Sequence, residues 1–337
     1  MIKEAILKLV KKQDLSFSEA KIVMDEIMEQ KASIAQIASY LTALSIKGES
    51  VDEITACASS LRSHCVGLVY NKDILEIVGT GGDGSNSFNI STTACIIVSA
   101  AGIPIAKHGN RASSSKCGSA DVLEELGVNI MLSKEQSQKL LQEINICFLF
   151  AQNYHIAMRH VAPIRKELGI KTIFNILGPL SNPASANMQL MGVYEESLVE
   201  PLAKVLNNLG VKYGMVVYGL DGLDEISTSN KTKICEIFNN TLKTYTISPK
   251  DFGYKIYDKR NLLGGSARDN AKIIKDILLG EERGAKRQAV CLNAGAALYI
   301  ARKVPDIKSG VIMAEKIIDS KLALKKLESF IKESNKI

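Results

Sequence analysis

Ile74-Leu75-Glu76-Ile77-Val78-Gly79-Thr80-Gly81-Gly82-Asp83-Gly84 is where the chain changes character. An apolar run passing directly into glycines is the pattern of a buried strand that ends in a loop. The residues before it read differently. Apolar side chains recur there at spacings of three and four (Ile2, Ile6, Leu9, Val10; Ile22, Val23, Ile27), which predicts consecutive helices. Ser16 with Glu19 and Ser50 with Glu53 are capping boxes that mark two helix starts. The opening block therefore reads as a small helical bundle.

Beyond the glycines, short apolar runs (Ile103-Ala106, Ile146-Phe150, Gly214-Tyr218) alternate with helical segments at Thr92-Ala101, Lys134-Ile144 and Glu196-Leu209. That alternation predicts an α/β domain with a central, mostly parallel sheet and crossover helices. Two β-rich runs flank Asn239-Asn240 between Lys233 and Ile247, which suits an antiparallel hairpin and makes the sheet mixed. The C-terminal third (Asn270-Leu279, Lys286-Arg302, Ser309-Ile331) is again helical. At 337 residues the chain exceeds the usual size of one core, so an all-helical N-terminal domain plus a larger α/β domain is the expected architecture.

Composition excludes several functions. The net charge of +6 is mild, with both signs interspersed, and the lack of Trp removes the best base-stacking side chain, so a dedicated nucleic-acid binder is not indicated. No apolar stretch approaches the ~20 residues that span a bilayer, and the acid at Glu4 is unlike a secretory signal; no membrane partner and a cytoplasmic location are expected. The seven cysteines are odd in number and form no Cys-x-x-Cys pair, as suits reduced thiols.

Polar chemistry gathers in four places. The Gly79-Gly84 loop lets backbone N–H groups approach an anion, although a tight turn uses the same glycines. It matches neither the Walker nor the dinucleotide spacing. Asn86, Ser87, Asn89, Ser91 and Thr92 follow at a helix entry, more hydroxyl and amide groups than capping requires. Lys107-His108-Gly109-Asn110-Arg111-Ala112-Ser113-Ser114-Ser115-Lys116 sets cations and serines directly behind a strand, the composition of a phosphate site or of a solvated basic loop. Asp221-Gly222-Leu223-Asp224-Glu225 offers adjacent carboxylates, which suit either Mg²⁺ facing a pyrophosphate or a solvated turn.

His155, Arg159, His160 and Arg165 are expected on one helix. There His155 and His160 lie roughly 140° apart, so they do not chelate one zinc ion. Arg165 suits a substrate carboxylate or the helix dipole, the second being the commoner use. The breakers in Asn175-Ile176-Leu177-Gly178-Pro179-Leu180-Ser181-Asn182-Pro183 predict a rigid turn.

Taken in order, these segments, with Asn293-Ala294-Gly295-Ala296-Ala297, resemble the anthranilate phosphoribosyltransferases of tryptophan biosynthesis over nearly the whole chain. The resemblance implies a nucleoside phosphorylase/phosphoribosyltransferase fold. Its helical domain would span 1–70, completed by roughly 171–188, and its α/β domain 73–170 and 189–337. Homodimers would form through the helical part. It implies binding of phosphoribosyl pyrophosphate (PRPP) by Gly79, Gly82, Asp83, Ser87, Asn89, Ile90, Ser91, Thr92, Lys107, His108, Gly109, Asn110, Arg111, Ala112, Ser113, Ser114, Ser115 and Ser119. Gly79, Asn110 and Arg165 would contact anthranilate. Ser91 with Glu225 would hold one Mg²⁺, and Asp224 with Glu225 a second. No side chain is required as nucleophile or essential base.

Two positions depart from the family pattern: Ser113 replaces a small apolar residue, and Gln152-Asn153 precede Tyr154-His155 where proline is usual. The competing readings are a pyrimidine nucleoside phosphorylase, whose substrate would leave Asp224-Glu225 without a task, a non-catalytic nucleic-acid-binding relative, and a purely structural α/β protein.

Overall fold

The structure, a computed structural model, describes residues 1–112 and 115–336. Four helices come first: α1 (Ile2–Val10), α2 (Phe17–Met28), α3 (Ile34–Lys47) and α4 (Val51–Ser63). Both expected capping boxes form, and Ser33 with Gln36 adds a third at α3. Glu53 does more than close its box. Fully buried, its carboxylate also accepts from Leu15 N at 2.9 Å and Lys47 Nζ at 2.8 Å, tying α4 to α3 and to the α1–α2 connection. A buried carboxylate is tolerable only with such partners.

Next come β1 (Leu75–Gly79), α5 (Ile90–Ala100), β2 (Ile105–Gly109), α6 (Ser119–Glu125), α7 (Lys134–Ile144), β3 (Ile146–Phe150), α8 (Ala151–Tyr154), α9 (Met158–Leu168) and α10 (Phe174–Leu177). The chain then runs through β4 (Met188–Gly192), α11 (Val199–Asn208), β5 (Tyr213–Gly219), β6 (Thr232–Phe238) and β7 (Thr241–Ile247). It ends in α12 (Ala267–Leu278), α13 (Ala285–Ile300), α14 (Ile307–Asp319) and α15 (Leu322–Ser334). The strand order is β3-β2-β1-β4-β5-β6-β7, parallel as far as β5 and antiparallel beyond. From β1 the chain winds outward to β3, then returns to the other side of β1 as β4. This reversal opens a crevice at the carboxyl ends of β1 and β4, the usual ligand position in open α/β sheets.

One apolar core packs α5, α13, α14 and α15 on one face of the sheet. A second joins the helical bundle to α11, to Ile173, Phe174, Ile176, Leu177 and Leu180, and to Val161 and Ile164 of α9.

Three sequence expectations are corrected. The strand behind the basic loop reaches Gly109, so Lys107 and His108 are buried strand residues and not loop cations; pairing of Ile105–Gly109 with Ile146–Phe150 extends it. The helix expected to carry His155 through Arg165 is broken at His155 (φ −108°, ψ 64°), and only Arg159, His160 and Arg165 share α9. The helical run Ser309–Ile331 is two helices, parted at Lys321 with φ 62°. The hairpin forms as expected, with Asn239 (φ 45°) and Asn240 (φ 68°) supplying its left-handed turn.

Candidate active site

The crevice is built from strand ends that lack side chains. β1 and β4 stop side by side at Gly79 and Gly192. The Asp224 turn lies across both: a Cβ on Gly79 would overlap the Asp224 carboxylate, and one on Gly192 its main chain. Gly81 (φ 66°) and Gly82 (φ 74°) then carry the loop round in a conformation costly for other residues. Gly81 N donates to Asp224 Oδ2 at 2.7 Å, and Asp83 accepts from Ser85 N at 3.0 Å and Asp224 N at 3.4 Å. The glycine loop and the acidic turn, about 140 residues apart in sequence, are one structure.

The helix that faces them opens at Asn89. Its side chain makes no capping bond. Instead Asn89 Nδ2 donates to Cys117 O at 3.2 Å, and its Oδ1 accepts from Asn270 Nδ2 at 2.9 Å. Asn270 also accepts from Gly265 N at 2.8 Å, pinning the Leu262–Gly265 segment, whose Leu263 bridges Ser87, against the site. Asn270 was not among the expected residues, and its signal was a polar residue amid the apolar positions of an amphipathic helix. Ser91 turns to Glu225, which accepts both its N–H, at 3.1 Å, and its hydroxyl. Ile90 keeps its side chain in the core and gives its N–H to Phe88 O. Thr92 is buried in the first turn beside them.

The segment after β2 returns to the α5 entry at Cys117, whose carbonyl accepts from Asn89 Nδ2. Lys107 Nζ donates to Ile77 O at 2.9 Å inside the sheet. Asn110 O accepts from Ala120 N, at 3.2 Å, and from Ser119 Oγ. Arg111 is exposed and engaged by Asp121 (3.1 Å) and Glu124 (2.8 Å), while Ala112 N reaches Asp121 at 2.8 Å. Ser115 Oγ donates to Cys117 O at 3.3 Å. Ser113 and Ser114 lie outside the described residues. Arg165 makes no recorded bond to this cluster; it is half-buried on α9 with its guanidinium 5.4 Å from the Phe174 ring centre and no carboxylate partner among the described residues.

Electrostatically the crevice is unfinished. Asp224 and Glu225 are buried, and burial pushes both carboxyls up, Glu225 to about 7 despite bonds from Ser91, and Asp224 well above the usual range with Asp83 and Glu225 adding repulsion. Two buried acids and a hydroxyl form a partial donor set of oxygen atoms, which suits a hard cation completed by water and substrate phosphate. Among the described residues no group of three or more His, Cys, Asp and Glu side chains makes a full protein cage.

The Gly178-Pro183 turn sits behind the crevice and is gripped by polar side chains. Gln189 and Arg62 donate to Pro179 O and Leu180 O, each at 2.7 Å, and Asn182 donates to Ala106 O at 2.9 Å. The His108 and His155 rings lie 5.0 Å apart, both buried with Nε2 unpartnered among the described residues, and burial lowers them to about 3 and about 4. Both imidazoles are therefore neutral near pH 7.

Known proteins complete the comparison. Residues 3–65 match the model of the glycosyl transferase family helical bundle domain, and residues 71–324 that of its a/b domain. An anthranilate phosphoribosyltransferase of Methanobrevibacter smithii is 60% identical over 99% of this chain and its own full length. The crystal structure of the Thermus thermophilus enzyme superposes with a TM-score of 0.94 at 39% identity, covering 98% of this chain and 99% of that one. The Saccharomyces cerevisiae enzyme in complex with PRPP and Mg superposes at 0.92 with 30% identity, covering 100% and 98%, and it is also known with 4-fluoroanthranilate. With its helical bundle and its mixed sheet shared at such identity and coverage, the chain belongs to the anthranilate phosphoribosyltransferase family.

Proposed function

We propose that this chain transfers the phosphoribosyl group of PRPP to the amine of anthranilate, releasing pyrophosphate, as a step of tryptophan biosynthesis. The observation that carries the reading is the joining of the Gly79-Asp83 loop, Ser91 and Asp224-Glu225 at the β1–β4 switch point. That reading holds over the nucleoside phosphorylase and nucleic-acid-binding alternatives.

Ser91, Asp224 and Glu225 would hold Mg²⁺, which the two buried acids fit as partners for a cation. Bound there, Mg²⁺ would neutralise charge on the departing pyrophosphate. The rest falls to the chain itself. The remaining N–H groups of the α5 N-terminus and of the glycine loop would face phosphate oxygens, with Asn110 and Ser119 beside them. The expected transition state is loose, so positioning outweighs covalent chemistry. Anthranilate's aromatic amine is unprotonated near neutrality, and no general base is required. Arg165, free of any carboxylate among the described residues, is assigned to the anthranilate carboxylate, with Gly79 and Asn110 along the ring. The seven unpaired cysteines support a cytoplasmic setting. Leu7, Val10, Ile34 and Ile46, all more than 60% exposed on α1 and α3, support a homodimer through the helical part.

The test follows pyrophosphate release with each substrate supplied or withheld. Release that needs both substrates is expected. Arg165→Ala should raise KM for anthranilate about tenfold or more while KM for PRPP stays near wild type, since a charge-assisted bond is worth about 1.5–3 kcal/mol. Equal effects on both substrates would remove Arg165 from the acceptor site.

A further inference from the structure

The Asn293-Ala294-Gly295-Ala296-Ala297 run has no role in the chemistry above, yet it lies directly behind the acidic turn. Asn293 is fully buried in α13, a helix buried on nearly every side. A lone amide there must satisfy all its polar atoms within the protein. Two of its three bonds go to one residue. Asn293 Oδ1 accepts from Ile226 N at 3.0 Å, and Nδ2 donates to Ile226 O at 3.1 Å. The second Nδ2 hydrogen goes to Ala289 O, one helical turn back, at 2.9 Å. The side chain thus pairs with Ile226 as a neighbouring strand would, and Ile226 follows Glu225 immediately.

We infer that Asn293 is a positioning residue that sets the Asp224-Glu225 carboxylates for Mg²⁺-bound PRPP, an inference resting on the function proposed above. The pair of bonds fixes the peptides on both sides of Ile226 and so the direction in which the chain leaves Glu225. On the far side, Ser227 Oγ donates to Asp221 Oδ2 at 2.7 Å and Ser227 N to Thr232 Oγ1 at 3.0 Å, so the turn is held at both ends. α13 is a stable platform for this. It packs along α5, which carries Ser91, and its Gly295 meets α14 so closely that an added Cβ would lie 2.6 Å from Val311 N. Ser91 and Glu225 are consequently referenced to one packed pair of helices. Their mutual placement is set by α5–α13 packing and transmitted to Glu225 through one amide.

The test uses Asn293→Ser, whose hydroxyl can keep the bond to Ala289 O but gives up the pair to Ile226. Groups that orient metal-binding side chains typically change metal affinity by about 10- to 100-fold. The expected result is a rise of about tenfold or more in the Mg²⁺ concentration for half-maximal rate, with kcat largely restored at high Mg²⁺ and KM for anthranilate within about twofold of wild type. Calorimetric titration of PRPP in the presence of Mg²⁺, without anthranilate, should show the same weakening. Leu327→Ala, in the α15 core, controls for general loss of stability and should leave the Mg²⁺ response unchanged. Asn293→Thr serves if the serine variant does not fold. An Asn293 variant with wild-type Mg²⁺ response and PRPP affinity, or a Leu327→Ala enzyme altered in the same way, overturns the inference. A wild-type enzyme indifferent to Mg²⁺ would instead overturn the proposed function on which it rests.

Discussion

At the level of single residues, the crevice places acids where folding alone would not. Asp224 and Glu225 are buried with raised pKa values, so each weakens the folded state as pH rises through its folded value. The double variant Asp224→Asn, Glu225→Gln should therefore lose turnover by about two orders of magnitude or more while melting no lower than wild type above pH 7. Turnover that survives with Mg²⁺ supplied would remove both residues from the metal site. His108 and His155 behave in the opposite sense to a stabilised cation. Their folded values, about 3 and about 4, lie below the ordinary 6.5, so they contribute stability above pH 6.5 that is lost as pH falls toward those values. Acid unfolding should therefore begin below pH 6.5 and be shallower in a His155→Gln variant, as read from thermal melts across pH 4–7.

Among the elements, local chemistry was legible in the sequence wherever it acts over a few residues. The boxes at Ser16 and Ser50, the left-handed Asn239-Asn240 turn and the apolar strand before Gly79 all form as read. What escaped was set by partners distant in sequence. Lys107 and His108 look like loop residues until β3 pairs beside them, and His155 leaves its helix to lie against the His108 ring. The glycine loop and the acidic turn were each readable as phosphate or metal chemistry, but nothing local shows that Gly79 and Gly192 are bare because Asp224 lies on them. Asn270 and Asn293 showed only as polar residues on apolar helix faces, their partners at Asn89 and Ile226 being distant in sequence. Glu53 is similar: its box was evident, its ion pair with Lys47 was not. Truncation leaves Leu15 N without its acceptor and Lys47 with only the exposed Asp14 as carboxylate partner, so Glu53→Ala should cost about 1–3 kcal/mol in urea denaturation beyond the ~1 kcal/mol of a lost cap. A loss near 1 kcal/mol would reduce Glu53 to a capping residue.

Over the whole molecule, two apolar cores meet at the central sheet, and the chain passes between them through a turn whose carbonyls are held from α4 and β4. Under the proposed function PRPP would lie at the strand ends and α5, whereas Arg165 stands on α9, which packs on the helical bundle at α3. Donor and acceptor are thus assigned to different cores, and the rigid turn between them would fix how the two substrates face each other. A protein arranged this way should couple the substrates and act on neither alone. The direct measurement mixes the chain with PRPP, Mg²⁺ and anthranilate and follows anthranilate fluorescence. Loss of fluorescence that requires PRPP and Mg²⁺, matched by pyrophosphate release, is the predicted result. Unchanged fluorescence with well-folded protein, or ribose-1-phosphate formed from a nucleoside and phosphate, would contradict it.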